Sequence, residues 1–298
     1  MKPIPKVALI TGATGFIGSN IASKLLLEGW KVHVLCRNIE KFYAAHPSEN
    51  FNVHMIDGST TNLIEHMRSV NPDVVFHLAS YFIAENSSED IETLINSNVK
   101  FGTQMLEAMS VSGVRNIVNT GTSWQHYKNE EYNPVCLYAA TKQAFETIME
   151  FYIQSNKINA ITLELFDTYG IGDGRNKLFK VLDDAFVSGR LFSMSMGDQL
   201  IDLVYIDDVV NAYLIAAERL NFKEKCRHER FSVSSGVHIS LRKLVELYSD
   251  ISKKKIDINW GGRPYREREV MTPSDCVEIL PNWTPKIKIS DGLFRIAK

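Results

Sequence analysis

Short, uniformly apolar runs alternate with amphipathic stretches through the first half of the chain. Val7–Ile10 is the first such run, and Lys31–Arg37, Val53–Ile56, Asp73–Leu78, Arg115–Thr120 and Ala160–Leu165 follow it. Runs of this kind suit strands buried on both faces of a parallel sheet. Between them, apolar residues recur at helical spacing. Phe16, Ile17, Ile21, Leu25 and Leu26 mark a helix over 16–28, and Leu63–Val70 a second. Ile91–Ser112 is a long helical stretch with Ile91, Ile95, Met105, Leu106 and Met109 on one face, and Leu137–Gln154 is another. Strands alternating with helices imply a parallel sheet covered on both sides, because parallel neighbours need crossovers. Right-handed crossovers then place a ligand at the carboxyl ends of the strands.

The rhythm breaks at Gly170, in Y-G-I-G-D-G-R. Asn176–Ser188 reads as a helix lying over the cleft. Leu203–Ile206, Val209–Leu220 and Phe231–Val233 read as a strand–helix–strand return to the main sheet, and Leu241–Ser252, Ile256–Trp260 and the tail from Gly261 as a small lid. No repeat, low-complexity segment or long linker separates these parts. The expected fold is therefore α/β, a Rossmann-type doubly wound parallel sheet with a smaller α/β C-terminal substrate-binding lid. The two parts are interwoven: 1–169 with 203–237, and 170–202 with 238–298.

Composition narrows the function classes. A chain of 298 residues with 45% hydrophobic and 23% charged residues has ample core for a large α/β unit. Its net charge of −2 gives no electrostatic reason to expect nucleic acid or an anionic membrane as partner. No apolar run reaches membrane-spanning length, and the N-terminal M-K-P-I-P-K has no signal-peptide core. Cys36, Cys136, Cys226 and Cys276 are scattered without a C-x-x-C pair, which suits reduced thiols in a cytoplasm and not a zinc site. No metal is expected.

The chemistry-bearing positions begin where the first strand ends. Gly12, Gly15 and Gly18 sit between an apolar strand and a helix, the arrangement that rests a diphosphate on free backbone N–H groups at a helix N-terminus. A dinucleotide ligand is expected. Tyr138 and Lys142 stand four apart at the start of a predicted helix and so share a face. A neighbouring ammonium lowers a phenol's pKa and makes it a better proton-exchanging group. In N-T-G-T-S-W-Q, at the end of the fifth strand, Ser123 or Thr122 can hydrogen-bond a substrate carbonyl opposite that phenol.

This combination resembles the extended short-chain dehydrogenases/reductases, the nucleotide-sugar epimerase/dehydratase family. The matches are T-G-A-T-G-F-I-G at Thr11–Gly18, H-L-A-S at His77–Ser80, Asn98-Val99, Thr122-Ser123, Y-A-A-T-K at Tyr138–Lys142, L-F-D-T-Y-G at Leu165–Gly170, V-Y-I-D-D-V at Val204–Val209, Arg263-Pro264 and a late Trp283. The resemblance implies hydride transfer at a sugar carbon with Ser123, Tyr138 and Lys142 as the catalytic set. Tyr138 would protonate a ketone oxygen, Lys142 would tune it and hold the nicotinamide ribose, and Ser123 would orient the carbonyl. It implies cofactor contacts from Gly12, Thr14, Gly15, Phe16, Ile17, Gly18, Arg37, Asp57, Gly58, Leu78, Ala79, Ser80, Asn98, Tyr138, Lys142, Leu165 and Phe166. A nucleotide-diphosphate sugar would meet Ser80, Thr122, Ser123, Trp124, Asp167, Asn176, Lys177 and Arg263. The two long helices would pair with their symmetry mates in a homodimer, as family dimers do.

Departures from the family pattern narrow the activity. Family dehydratases carry an Asp-Glu pair directly after the catalytic hydroxyl. Here Trp124 and Gln125 stand there and cannot perform acid–base elimination. NAD-binding members end the second strand with an acid, whereas this chain has Cys36 and then Arg37, whose donor fork suits a 2′-phosphate. NADPH is the expected cofactor, and NADPH points to a net reductase. The family's Arg before the V-x-D strand is replaced by Ile201, and its Asn before T/V-Y-G by Asp167, leaving Arg263 at one diphosphate position with Lys177 or Arg175 to replace the lost charge. Within the family, G-T-S, L-Y-A-x-T-K-Q and D-T-Y-G-x-x-D-x-R-x-K look most like bacterial CDP-sugar 4-ketoreductases of the CDP-abequose synthase type, which serve rare-sugar and surface-polysaccharide synthesis. Two alternatives stand beside this reading: an NAD-dependent nucleotide-sugar 4-epimerase, and a non-catalytic dinucleotide-sensing relative.

Overall fold

The computed structural model describes residues 6–46, 50–220 and 227–297. Cys226 and residues 1–5 lie outside them. In chain order the first half gives β1 (Val7–Thr11), α1 (Phe16–Leu27), β2 (Lys31–Cys36), α2 (Ile39–Ala45), β3 (Asn52–Met55), α3 (Thr60–Val70), β4 (Val74–His77), α4 (Ile91–Ile95), α5 (Phe101–Ser112), β5 (Asn116–Thr122), α6 (Leu137–Gln154) and β6 (Asn159–Leu165). With β10 (His228–Val233) these strands form one seven-stranded sheet in the order β10-β6-β5-β4-β1-β2-β3, parallel throughout. The α/β Rossmann-type expectation is met.

Alternation along each strand sorts the core into two layers. Ala8 and Ile10 of β1 face one side with Ile21 and Leu25 of α1, and Val209, Ala212 and Tyr213 of α8 (Ile206–Leu220) join them. Leu9 faces the other side with Leu63 and Met67 of α3, Leu106 and Met109 of α5, and Phe145 and Met149 of α6. Every residue of β6 is buried, as a central parallel strand requires. Strand order reverses at β1, with β2 on one side and β4 on the other, so the crevice of the switch point opens beyond Thr11 and His77.

The second half departs more from the pattern reading. β7 (Asp167–Tyr169), β9 (Leu200–Tyr205) and β11 (His238–Ser240) make a separate three-stranded sheet, and β8 (Phe192–Met194) pairs with β12 (Ile258–Trp260). Of the stretch Leu203–Ile206, expected in the main sheet, Leu203–Tyr205 thus belongs to a small one and Ile206 opens α8, and only α8 and β10 return. α9 (Leu241–Ser252) packs against β11, α7 (Leu178–Ser188) meets α9 through Phe179 and Asp183 on Tyr248, and α10 (Ile289–Ile296) packs against α9 and β9. The tail from Gly261, expected in the lid, folds back on the main layer at Trp283–Ile287. Trp283 is buried and donates its indole N–H to the Asp208 carbonyl at 2.9 Å, while the buried Asp208 carboxylate accepts the N–H groups of Lys286 and Ile287. A large apolar ring with one donor needs both a pocket and an acceptor, and α8 supplies both. The long helix expected over 91–112 carries a π-turn at Asn96–Lys100 between α4 and α5. Among the described residues no helix is long and apolar enough to cross a membrane, and no cluster of metal-binding side chains occurs.

Candidate active site

Backbone geometry at the end of β1 explains the glycines. Gly12 has φ +76°, and a Cβ there would lie 2.6 Å from the Ala79 nitrogen in the segment after β4. At Gly18 a Cβ would lie 2.3 Å from the Gly12 carbonyl oxygen, and Gly15 donates its N–H to that same oxygen at 3.0 Å. Thr11 closes the switch point from below: its hydroxyl oxygen accepts from the N–H groups of Leu78 and Ala79, both at 3.2 Å. The turn therefore sets Gly12 directly against Leu78 and Ala79 just ahead of the N-terminus of α1. Farther along the same sheet edge, Arg37 is exposed just past β2. Asp57 and Gly58 are exposed past β3, where the Ser59 N–H and hydroxyl hold the Asp57 carboxyl below its usual range.

Tyr138 and Lys142 lie on one face of α6, with the ammonium 5.9 Å from the phenol ring centroid. Burial brings the Lys142 amine down to about 8, against the raising influence of Glu146 one turn on. The expectation that Lys142 lowers the Tyr138 pKa is corrected here. Burial raises the phenol above its ordinary value, and the groups that oppose the rise are the Ser80 hydroxyl and the Arg175 guanidinium. That guanidinium is held by both oxygens of Asp173 at 2.6 Å, donates to the Thr168 carbonyl at 2.8 Å and stacks on Phe16 at 4.7 Å.

The strand-end hydroxyls separate in role. Thr122 is buried and accepts from the Trp124 N–H at 3.3 Å, so its hydroxyl caps the turn. Ser123 instead lines a cavity of about 220 Å³ with Trp124, Phe166, Asp167, Ile201 and Arg266. Gln125 is buried, with its carbonyl on the Thr122 N–H at 3.0 Å and its amide donating to Gln143 at 2.9 Å and Glu146 at 3.0 Å. Its amide has no proton to exchange at neutral pH and serves as a hydrogen-bonding link.

Asn98 was expected at the cofactor. Its side chain is instead fully engaged within the protein: the amide donates to the Tyr81 carbonyl and the Thr141 hydroxyl, both at 2.9 Å, and the oxygen accepts from Tyr81 N–H at 2.7 Å and Ser80 hydroxyl at 3.1 Å. It positions Ser80 and joins the π-turn to α6. Leu165 is buried at the end of β6. Asp167 and Lys177, both expected at the substrate, meet at 3.5 Å, and Lys177 also sits 5.6 Å from the Phe82 ring. Asn176 is exposed on the loop before α7. Arg263 is exposed beside β8, donating its backbone N–H to Met194, and does not line the cavity.

Two residues escaped the sequence reading. Arg266, three places after Arg263, enters the cavity 5.2 Å from the Trp124 ring and is gripped by Glu269 at 2.7 and 3.0 Å. The repeated arginine in R-P-Y-R was its signal. Phe82, 48% exposed, stands edge-on to Tyr138 at 4.9 Å and against Trp124 at 5.7 Å, but no spacing rule marked it. A larger cavity of about 500 Å³, walled by loop 170–175, α7 and α10, contains neither Ser123 nor Tyr138.

A family model described as the NAD dependent epimerase/dehydratase family matches residues 8–231. CDP-abequose synthase of Yersinia pseudotuberculosis is 25% identical over 89% of this chain and 90% of its own length. UDP-glucose 4-epimerase of Mycolicibacterium smegmatis is 28% identical over 79% of each chain. Among solved structures, the UDP-glucuronic acid 4-epimerase of Bacillus cereus in complex with UDP-glucuronic acid and NAD superposes with a TM-score of 0.84, covering 98% of both chains at 21% identity. That similarity concerns the fold.

Proposed function

This chain belongs to the NAD dependent epimerase/dehydratase family, and from that premise we propose that it reduces the C4 ketone of a nucleotide-linked 4-keto-deoxyhexose, CDP-linked, with NADPH. The observation that carries the reading is the pairing of Tyr138 and Lys142 on one face of α6, ammonium 5.9 Å from the phenol ring centroid, with Ser123 on the wall of the neighbouring cavity. A phenol so placed can give its proton to a ketone oxygen.

The residues present fit a nicotinamide dinucleotide: Gly12 and Gly18 let the turn pack backbone to backbone on Leu78–Ala79 and on itself, and α1 begins at its N-cap Gly15 with no side chain capping its first N–H groups. When bound, the cofactor supplies hydride to the ketone carbon. Backbone N–H groups at the start of α1 hold the diphosphate, and Arg37, exposed past β2 where the family's acid is missing, grips a 2′-phosphate. Lys142 holds a ribose hydroxyl beside Tyr138. Ser123 donates to the carbonyl oxygen to be protonated, and Tyr138 delivers the proton as charge develops there. Arg266 and Lys177 supply positive charge for the sugar nucleotide's diphosphate, in place of the arginine lost at Ile201. Trp124 and Phe82 wall the sugar. A division into a cofactor part and a sugar-nucleotide part belongs to this proposal, with the segment at Trp283–Ile287 docked on α8 of the cofactor part and β9 in the small sheet, as does a homodimer through α4–α5 and α6.

The test offers CDP-, dTDP-, GDP- and UDP-linked 4-keto sugars with NADPH or NADH and identifies the product by NMR. Net NADPH consumption with a CDP-linked ketone is expected. Arg37→Ala should lower the preference for NADPH about ten- to hundred-fold, the scale of lost charge-assisted hydrogen bonds. The second reading, a 4-epimerase, draws on the similarity to UDP-glucose 4-epimerase. Tightly retained NAD, with interconversion of nucleotide sugars and no net NADPH oxidation, would establish it and sink the reductase.

A further inference from the structure

Beneath the proposed proton-transfer residues lies a polar cluster that takes no part in the mechanism above. Glu146, one turn beyond Lys142 on α6, is fully buried. One of its oxygens accepts from the Gln125 amide at 3.0 Å and the other from the Arg230 guanidinium of β10 at 2.8 Å. Gln125 in turn holds the Thr122 N–H at 3.0 Å, directly before Ser123. A carboxylate placed at 0% exposure carries a large desolvation cost unless it is paired and hydrogen-bonded. Arg230 alone is an incomplete counter-charge, since its side chain is 46% exposed and screened by solvent.

We propose that Glu146 is a positioning residue that keeps Lys142 charged and, through Gln125, ties that charge to the turn carrying Ser123. The argument rests on the role given to Lys142 above, but the charge link can be read without any substrate. Lys142 is 3% exposed, so burial alone drives its amine toward the neutral form. Glu146 opposes this, and the balance leaves the amine near 8, mostly protonated at pH 7. The other charged or titratable groups facing the pair are Tyr138 on α6, His77 from β4, and Arg230 and His228 from β10. Burial holds His77 well below its ordinary value, so it adds no positive charge at neutral pH; burial also lowers His228, which pairs with Glu150 at 3.5 Å. Gln125 thereby acquires a function at a position where family dehydratases carry acid–base groups: it couples one arm of the site to the other.

The experiment is an NMR titration of protein carrying ¹³C-labelled lysine, with the Lys142 signal assigned by its loss in Lys142→Arg. In Glu146→Gln the Lys142 midpoint should fall by about 1–3 units, the range for loss of a close opposite charge. Glu146→Asp should restore part of the shift. In Arg230→Gln, which keeps the carboxylate and removes its exposed partner, the midpoint should rise. An unchanged midpoint in Glu146→Gln overturns the proposal. Should that variant fail to fold, a fallen or unchanged midpoint in Arg230→Gln overturns it instead. Where turnover is measurable, the alkaline limb of the kcat profile should move to lower pH in Glu146→Gln, whereas a purely structural defect would scale kcat equally at every pH. Failure of the reductase assignment would leave the amine titration unaffected.

Discussion

At the level of single residues, the site separates groups that touch reacting atoms from groups that hold them. Tyr138→Phe keeps the ring against Phe82 and removes only the proton donor. Cofactor binding measured by fluorescence should survive, while kcat falls about 10²–10⁴-fold, the usual contribution of a general acid. Retained turnover would remove Tyr138 from the mechanism. Arg266 gives a second discriminating case. Because it enters the cavity beside Trp124 while Arg263 points to solvent, Arg266→Ala should raise KM for the sugar nucleotide about ten- to hundred-fold, and by more than Arg263→Ala does. Equal effects would return the diphosphate to Arg263. The contrast shows what sequence spacing conveys. Tyr138 and Lys142 were legible because the helical repeat alone puts them on one face. The choice between two arginines in R-P-Y-R depends on a loop without periodicity, and the opposing pull of burial on Tyr138 depends on neighbours distant in sequence.

Among the elements, the glycine turn is where sequence and structure agree most closely, because its constraint is steric and local. A methyl group on Gly18 would meet the Gly12 carbonyl at 2.3 Å, and both atoms are held by backbone. Gly18→Ala should therefore displace α1 from the turn, costing about 1–3 kcal/mol of stability as overpacking does, and weakening dinucleotide affinity in parallel. Urea denaturation and cofactor titration of the same preparation check both; wild-type affinity would mean the turn is not the cradle. α6 was equally legible, its residues 137–154 carrying an unbroken amphipathic pattern. Other elements were not. The π-turn at Asn96–Lys100 leaves no mark in hydrophobic periodicity, yet it turns Asn98 toward Ser80, Tyr81 and Thr141. β9 has the apolar character of a core strand, and only its pairing with β7 and β11 shows that it serves a small sheet.

Across the whole molecule, buried histidines set a pH dependence that no single element reveals. Burial, chiefly, lowers His33 to about 4 and His77 to about 3, and His54 and His228 shift in the same direction. His33 and His54 meet ring to ring, nitrogens 2.8 Å apart, while His77 is enclosed by Phe101, Phe145 and Thr11 at the switch point. The unfolded chain takes up protons near 6.5 and the folded chain resists doing so. Below that value the unfolded state binds more protons, so stability is present above it and is lost as pH falls toward 4 and then 3. His33 and His77, both buried, each contribute a slope of about 1.4 kcal/mol per pH unit within that window. His126 has the opposite sign. Its pairing with buried Glu164 at 2.9 Å outweighs desolvation and raises it, so that contribution is lost as pH rises through its folded value. Denaturation followed from pH 8 to pH 4 should show stability falling steeply below about 6.5, with the histidine ring protons of His33 and His77 unshifted down to pH 5. A flat acid limb, or titration of His77 near its ordinary value, would show that the switch point is open to water. It would also remove the dry environment on which the charge balance at Lys142 depends.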